Sequence, residues 1–312
     1  MPKPLISICI CTYRRPAVAE TIASLGQMIL PDSCEVEIVV ADNDIDPSAR
    51  DYVEAAATEI SIPVRYCHAP KQNISIARNA CLDAAKGDWV GFIDDDETVS
   101  EGWLKAMLDA TQQGQTDIAF GPVWARYPEG TEAWLVDADF HSTQTLEDQD
   151  LITGYSGNSF FNVKHPAIAG RRFNLDRGRT GGEDTEFFHE CFRAGATLRY
   201  VPDAAASEPV APNRLSLAWL SKTRFQAGVT YGKVVKYRGS TLRNFLALLP
   251  VVAKAAVLLA KAAIPFRTRA SARTDYVRAL FHLGTAQAFF SSKVTELYGL
   301  ETNAAPAAKS AS

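Results

Sequence analysis

The segment WVGFIDDDETVSEGW, residues 89–103, decides the fold. It opens as an apolar, aromatic run and ends in four consecutive acids, Asp94, Asp95, Asp96 and Glu97. A short apolar run bounded by polar residues predicts a buried strand over 88–94. Four adjacent carboxylates at a partly buried strand end repel one another, so a cationic partner is expected there. A hard divalent ion, Mg²⁺ or Mn²⁺, takes oxygen ligands and completes its shell with substrate phosphates and water. In strand geometry Asp94 and Asp96 point one way and Asp95 the other, which makes a D-x-D cradle for a metal-bound diphosphate. Taken alone, the cluster reads as a solvated acidic turn capping a helix that begins near Ser100, with Glu101 at its N-terminus.

Upstream, the same pattern recurs three times. LISICICTY (5–13), VEIVVADN (36–43) and VRYCHA (64–69) are short β-branched or aromatic runs, each followed by a helical pattern. The alternation predicts right-handed βαβ units and a mostly parallel α/β sheet flanked by helices. Pro16 suits the first position of a helix, and Val18, Ile22, Leu25 and Ile29 follow at helical spacing before Pro31 stops it. Asn73 suits an N-cap, with Ile74, Ala77, Cys81 and Ala84 as the apolar stripe of the helix it opens. Ligands of open α/β sheets bind beyond the carboxyl ends of the strands. Thr12 and Tyr13, Asp42 and Asn43, and the Asp94 cluster fall at such ends and point to one shared crevice. On position alone, Thr12 and Asp42 are at least as well explained as turn residues and helix caps.

The 312 residues, 47% hydrophobic and 22% charged, suit one large domain plus an appendage. Six cysteines lie mostly in apolar segments with no CxxC pair, which reads as reduced core thiols of a cytosolic protein. No signal peptide is read at the N-terminus. The net charge of −4 hides an asymmetry. Residues 1–213 carry 17 Lys and Arg against 33 Asp and Glu, net −16, and residues 214–312 carry 15 against 3, net +12. An acidic body and a basic tail imply two kinds of partner. The five histidines share no zinc-site spacing, and no serine sits in a hydrolase pattern. Trp103, Trp124 and Trp134 could stack on sugars, but core or loop positions are commoner for Trp.

Six motifs in order resemble the family 2 glycosyltransferases of the GT-A fold: CTYRRP (11–16), VVADND (39–44), NISIARN (73–79), GFIDDDE (91–97), GGEDTEFF (181–188) and RYVPDAAASEP (199–209). The likeness covers roughly residues 5–240 and is nearest to the ExoM-type enzymes that add β-linked glucose in rhizobial exopolysaccharide assembly. By that resemblance Thr12, Asp42 and Arg78 hold the uridine and diphosphate of a UDP-sugar, with Tyr13, Asn43, Asp95 and Glu183 in the same binding set. Asp94 touches the ribose, and Asp96 ligates Mg²⁺ or Mn²⁺ together with Asp94 and Glu208. GYSGNSFF (154–161) is similar to the loop that lines the donor sugar, with Gly157 and Asn158 closest to it. Inverting transfer needs one general base opposite the departing diphosphate. The resemblance gives that role to Asp184, at the start of a helix whose dipole keeps the carboxylate ionised. Without the family pattern, Glu183, Asp184 and Glu186 are favourable charge in a helix's first turn, and Phe187, Phe188, Cys191 and Phe192 share one apolar face.

Two departures stand out. Glu208 occupies the place where many members have a metal-ligating His. The QxxRW pattern of processive polymerases is missing, TRFQAGVTYG (223–232) being the nearest text, which favours one sugar per acceptor.

The region RNFLALLPVVAKAAVLLAKAAIPFR (243–267) is the most apolar stretch. Arg243, Lys254 and Lys261 fall within a narrow arc at 100° per residue, Lys236 extends the row, and Pro250 lies on it as a kink or a new start. A single polar stripe predicts a helix lying in a membrane interface, paired with a second over 276–294. The bland alternative is two ordinary helices packed on the catalytic domain; nucleic acid fits poorly. The expected organisation is a catalytic domain over 1–213, a basic helical region over 214–300 and a disordered tail over 301–312. ExoM-like enzymes act on a polyprenyl-diphosphate-linked glycan at the cytoplasmic face of the bacterial inner membrane, which suits such an anchor. Two further readings are a catalytically inactive GT-A scaffold and a sugar nucleotidyltransferase, the latter disfavoured because CTYRRP lacks a glycine-rich phosphate loop.

Overall fold

The structure is a computed structural model that describes residues 3–112, 116–143 and 151–290. The expected tail over 301–312, and the second helix beyond Phe290, lie outside the described residues. The chain opens as β1 (Leu5–Thr12), α1 (Val18–Gly26), β2 (Glu35–Asp42), α2 (Arg50–Thr58), β3 (Val64–His68), α3 (Ile74–Ala84) and β4 (Trp89–Asp94). All four strands are parallel, in spatial order β3-β2-β1-β4. β1 is central, and Ile6, Ile8, Cys9 and Ile10 are fully buried, as expected of a strand covered on both faces.

β5 (Thr98–Val99) and α4 (Trp103–Gln112) follow, then β6 (Ile118–Phe120), β7 (Val123–Arg126), α5 (Ala133–Ala138), β8 (Ser159–Asn162), α6 (Glu183–Arg193), β9 (Leu198–Tyr200) and β10 (Ala206–Pro209). β8 adds antiparallel to β4, and β6 and β9 extend the sheet to seven strands. β5, β10 and β7 form a small second sheet.

Three local expectations are corrected. α1 ends at Gly26, where the chain runs so close to Ile60 that a Cβ would fall 2.2 Å from its Cγ2. Beyond it the Ile29 N–H is tied to the Glu101 carbonyl (2.9 Å), leaving Ile29 63% exposed. RYVPDAAASEP is two strands in two sheets, since the Ala204 N–H closes a turn on the Val201 carbonyl (3.1 Å). Phe192 is exposed, while Phe187, Phe188 and Cys191 are buried. Trp103 and Trp134 lie in the core, the commoner of the two expectations for them.

Three helices complete the described chain: α7 (Leu217–Tyr231), which runs into a π turn over Gly232–Lys236, α8 (Thr241–Ala262) and α9 (Arg269–Phe290). α9 packs between α7 and α8 and starts seven residues before the expected position. α8 continues through Pro250 and buries only Leu248, Val251 and Ala255. Backbone meets backbone between α7 and α9. A Cβ on Gly228 would fall 2.0 Å from the Phe281 carbonyl oxygen, and one on Gly284 2.0 Å from that of Phe225. No larger side chain fits either position. Leu220 and Val277 join Trp134 and Leu135 in a core cluster that fastens these helices to α5.

Candidate active site

Because Cys11 pairs with Asp94 across β1 and β4, the residues that follow each strand meet at one sheet edge. The Glu97 N–H donates to the Asp94 carbonyl (3.1 Å), closing a turn that ends strand geometry at Asp94. The expected D-x-D alternation is therefore corrected: Asp95 and Asp96 share a partner. Arg15 Nη1 donates to Asp95 Oδ1 (2.8 Å) and Asp96 Oδ2 (2.6 Å), and Thr12 Oγ1 donates to Asp95 Oδ2 (2.8 Å). The cation the acidic run demanded is supplied, within the chain, by Arg15.

Asp94 faces another set. A Cβ on Gly157 would lie 2.9 Å from Asp94 Oδ2 and 2.7 Å from Glu97 Oε1, so the 154–158 loop passes directly over both acids. The same loop reaches Asp184, whose Oδ2 accepts from the Ser156 N–H (3.4 Å). Asp184 Oδ1 accepts from its neighbour's N–H, that of Thr185 (2.6 Å). Gly181 and Gly182 both adopt left-handed backbone (φ 79° and 85°), which bends the chain into α6 and sets Asp184 in its first turn. Ser156 Oγ is buried here without a partner.

The electrostatics tie the acids together. Burial pushes Asp94 up to about 6, with Asp96, Asp95 and Asp184 adding and Arg78 opposing. Burial and Asp96 push Glu208, on β10, up to about 7, and Asp94 adds to this. Glu97 is raised well above the usual carboxylate range by burial and by Asp94. Beneath them Arg78 and Glu183 form a buried ion pair. Burial pushes Glu183 up to about 7 against the pull of Arg78. Burial lowers Arg78, but Glu183, Asp184 and Asp94 more than offset it and the guanidinium keeps its charge.

The expected nucleotide residues gather at the same edge in varied states. The Asp42 carboxylate accepts from the Asp44 N–H (3.0 Å), the Ala49 N–H (2.8 Å) and the Tyr66 hydroxyl (2.8 Å), so it caps a turn and a helix as well as lining the crevice end. Asn43 donates to the Ala69 carbonyl (2.8 Å). Tyr13 is exposed and accepts from Gln72 (3.0 Å). Asn158 does not present its side chain to the crevice. Its Oδ1 accepts from Trp103 Nε1 (2.6 Å), and its Nδ2 donates to the Pro122 and Ala204 carbonyls (2.8 Å each). Every polar group of that side chain is spent joining β8 to three neighbouring segments. Sequence reasoning counted Glu97 in the acidic run without giving it a role, and it missed Arg15. The signal for Arg15 was the pair of arginines after β1, once β1 and β4 are adjacent.

Among the described residues no three Asp, Glu, His or Cys side chains converge to hold a metal ion unaided. Asp94, Asp96 and Glu208 are nonetheless hard oxygen donors, and Asp96 raises the other two. They fit a divalent cation that draws most of its shell from a diphosphate and water. Arg15 bonds only Oδ2 of Asp96, so it competes with such a cation for the carboxylate's charge.

Comparison with known proteins gives the family and the fold. The family model of glycosyl transferase family 2 matches residues 7–176. The succinoglycan biosynthesis protein ExoM of Rhizobium meliloti is 40% identical over 295 residues, covering 94% of this chain and 96% of that protein. A glucosyl-dolichyl phosphate glucuronosyltransferase of Haloferax volcanii is 27% identical over 72% of this chain and 75% of its own. Among solved structures, a mannosyltransferase of Pyrobaculum calidifontis in complex with GDP-Man and Mn²⁺ superposes with TM-score 0.63 at 16% identity, over 93% of this chain and 88% of that one.

Proposed function

The chain belongs to glycosyl transferase family 2, and from that membership we propose that it moves one glucose from UDP-glucose, with inversion, to a polyprenyl-diphosphate-linked oligosaccharide in exopolysaccharide synthesis. The observation that carries the reading is the meeting of Asp94 and Asp184 around one loop, residues 154–158, with Asp96 and Glu208 close enough to act on the same acids. Asp184 is the base. The N–H groups of Ser156 and Thr185 hold its carboxylate in the first turn of α6, where it can accept the proton of the acceptor hydroxyl. The hydroxyl oxygen then bonds to the anomeric carbon as the bond from that carbon to UDP breaks on the opposite face. A divalent cation held by Asp96, Asp94 and Glu208 would neutralise the charge gathering on the departing diphosphate. Arg15, already at Asp95 and Asp96, and Thr12 stand where that diphosphate would lie. Support for the acceptor and pathway comes from the two curated relatives, one named for succinoglycan biosynthesis and one for a dolichyl phosphate substrate.

The same proposal places the protein on the cytoplasmic face of the inner membrane through α8. This helix has mean hydropathy 2.0 and is 17% buried over its most apolar 18 residues, and Phe245, Leu249 and Val252 are exposed. At about 1.5 Å per residue its 22 residues are long enough to span a bilayer. Lys254, however, stands within a turn of its midpoint, where a cation costs about 3 kcal/mol in hydrocarbon, so lying in the interface is favoured.

The test is transfer of labelled glucose from UDP-glucose to a lipid-linked acceptor, with product anomer read by NMR. A β-linked product is expected; an α-linked one sinks inversion. Changing Phe245, Leu249 and Val252 together to Gln is expected to release the protein from anionic liposomes. Unchanged sedimentation with them would show that α8 serves packing alone. The inactive-scaffold reading draws on one observation, Arg15 neutralising Asp95 and Asp96 without any metal; release of glucose from UDP-glucose with Mn²⁺ would exclude it.

A further inference from the structure

A second cavity, of about 450 Å³, lies between residues 138–143, α7 and α9. Its size is that of a small-molecule site. It borders the catalytic acids: Glu208 lines it, and so does Tyr155, whose exposed ring carries a phenol raised by packing and by the Asp184 charge. Whatever occupies it therefore lies next to the proposed base.

Three guanidinium groups line this cavity, those of Arg214, Arg224 and Arg278. Among the described residues none of them has a carboxylate within ion-pair distance, although Arg14, Arg15 and Arg78 at the strand ends all do. Arg224 is part-buried; its guanidinium donates to the Phe140 carbonyl and lies over the Phe140 ring at 5.1 Å. Holding a guanidinium away from water without a counter-charge is costly, and burial lowers Arg224 accordingly. Beside it, Trp219 and His141 stack (5.5 Å, 15°), and the Arg214 guanidinium lies over the Trp219 ring at 5.9 Å. Tyr127 and the Arg214 carbonyl hold both nitrogens of His141. The wall thus gathers three guanidinium groups braced by aromatic rings, against two acids, Asp139 and Glu208, a combination suited to an oxyanion. α9 supplies Arg278 and is also the helix on which membrane-facing α8 rests.

Building on the transferase reading, we propose that this cavity is the acceptor subsite, and that Arg214, Arg224 and Arg278 bind an oxyanion of the acceptor saccharide. The oxyanion is either the diphosphate joining glycan to lipid or a carboxylate on the glycan.

Binding to the full-length protein, without donor, tests this with three probes: glucose joined by diphosphate to a short prenyl chain, the same glucoside without diphosphate, and a disaccharide ending in glucuronic acid. One of the two anionic probes is expected to bind and identifies the source of the charge; the neutral glucoside is expected to bind at least about tenfold more weakly. Arg214→Gln with Arg278→Gln is expected to weaken the anionic probe about tenfold or more and flatten its salt dependence. Arg224→Lys, which keeps the charge and loses the fork, is expected to weaken it too and spares the fold if deeper changes do not. Equal binding by wild type and variants, binding of no anionic probe, or competitive displacement of the probe by UDP with Mn²⁺ would each overturn the assignment. Failure of the transferase reading shows separately, as absence of UDP-glucose binding to wild type with Mn²⁺.

Discussion

The strand-end crevice and the arginine cavity touch at Glu208 and Tyr155 but resolve charge in opposite ways. In the crevice the acids are answered from within the chain: Asp44 by Arg14, Asp95 and Asp96 by Arg15, Glu183 by Arg78. In the cavity three arginines share the wall with two acids, Asp139 and Glu208, and among the described residues none of the three makes an ion pair. The crevice can therefore stand without ligand and exchange its internal cation for an external one, whereas the cavity keeps cations in excess for what it binds. The contrast matches a two-substrate site, with a metal-nucleotide on one side and an anionic acceptor on the other.

The comparison breaks most sharply at Asp184, which faces both sides. Asp184→Asn is expected to lower transfer by roughly 10²–10⁴-fold while leaving UDP affinity with Mn²⁺ within about twofold. Retained turnover would remove Asp184 as base and the division of labour with it. Gly228→Val attacks the frame of the cavity alone. It is expected to destabilise the protein by about 3 kcal/mol in urea unfolding, because no gap exists between α7 and α9. A fully stable variant would show that these helices can slide.

The crevice also makes a pH prediction. Asp94 (about 6) and Glu208 (about 7) are raised in the folded state, so without ligand the fold binds more protons than the unfolded chain between about pH 4.5 and 7. Their contribution to stability is present at low pH and is lost as pH rises through those values. A cation must displace those protons, so metal-dependent UDP affinity is expected to rise on the order of tenfold from pH 5.5 to 7.5. Titrations in buffers of different ionisation heat should show proton release near pH 6.5. Affinity flat across that range would exclude both carboxylates as ligands. The smallest effect belongs to Arg15. Arg15→Ala is expected to tighten binding of Mn²⁺ alone roughly fivefold, about 1 kcal/mol after allowing for the exposure of that guanidinium. Weaker Mn²⁺ binding would mean that Arg15 orders the acids for the metal rather than competing with it.

The parallel half of the sheet was legible because β-branched runs alternate with helical spacing over residues 5–94, and Asn73 caps α3 as its residue type suggests, with Oδ1 accepting from the Ile76 N–H. The acidic cluster was legible as a charge problem. Its solution was not, since Arg15 is 80 residues from Asp95 and meets it only through the adjacency of β1 and β4. Asn158 was misread for a related reason: a Gly-Asn pair in a loop looks like ligand chemistry, and only the fold shows three segments converging on its amide. The arginine cavity left no local trace. Arg214, Arg224 and Arg278 come from a turn and two helices, and no spacing rule in one dimension links them.

The most direct test of the account is calorimetric titration of UDP-glucose, UDP and GDP-mannose into the full-length protein with Mn²⁺, repeated with chelator. The account predicts that UDP and UDP-glucose bind with Mn²⁺, that chelation weakens both by about tenfold or more, and that GDP-mannose binds poorly in either condition. Equal binding of UDP with and without metal, or a preference for GDP-mannose, would contradict it.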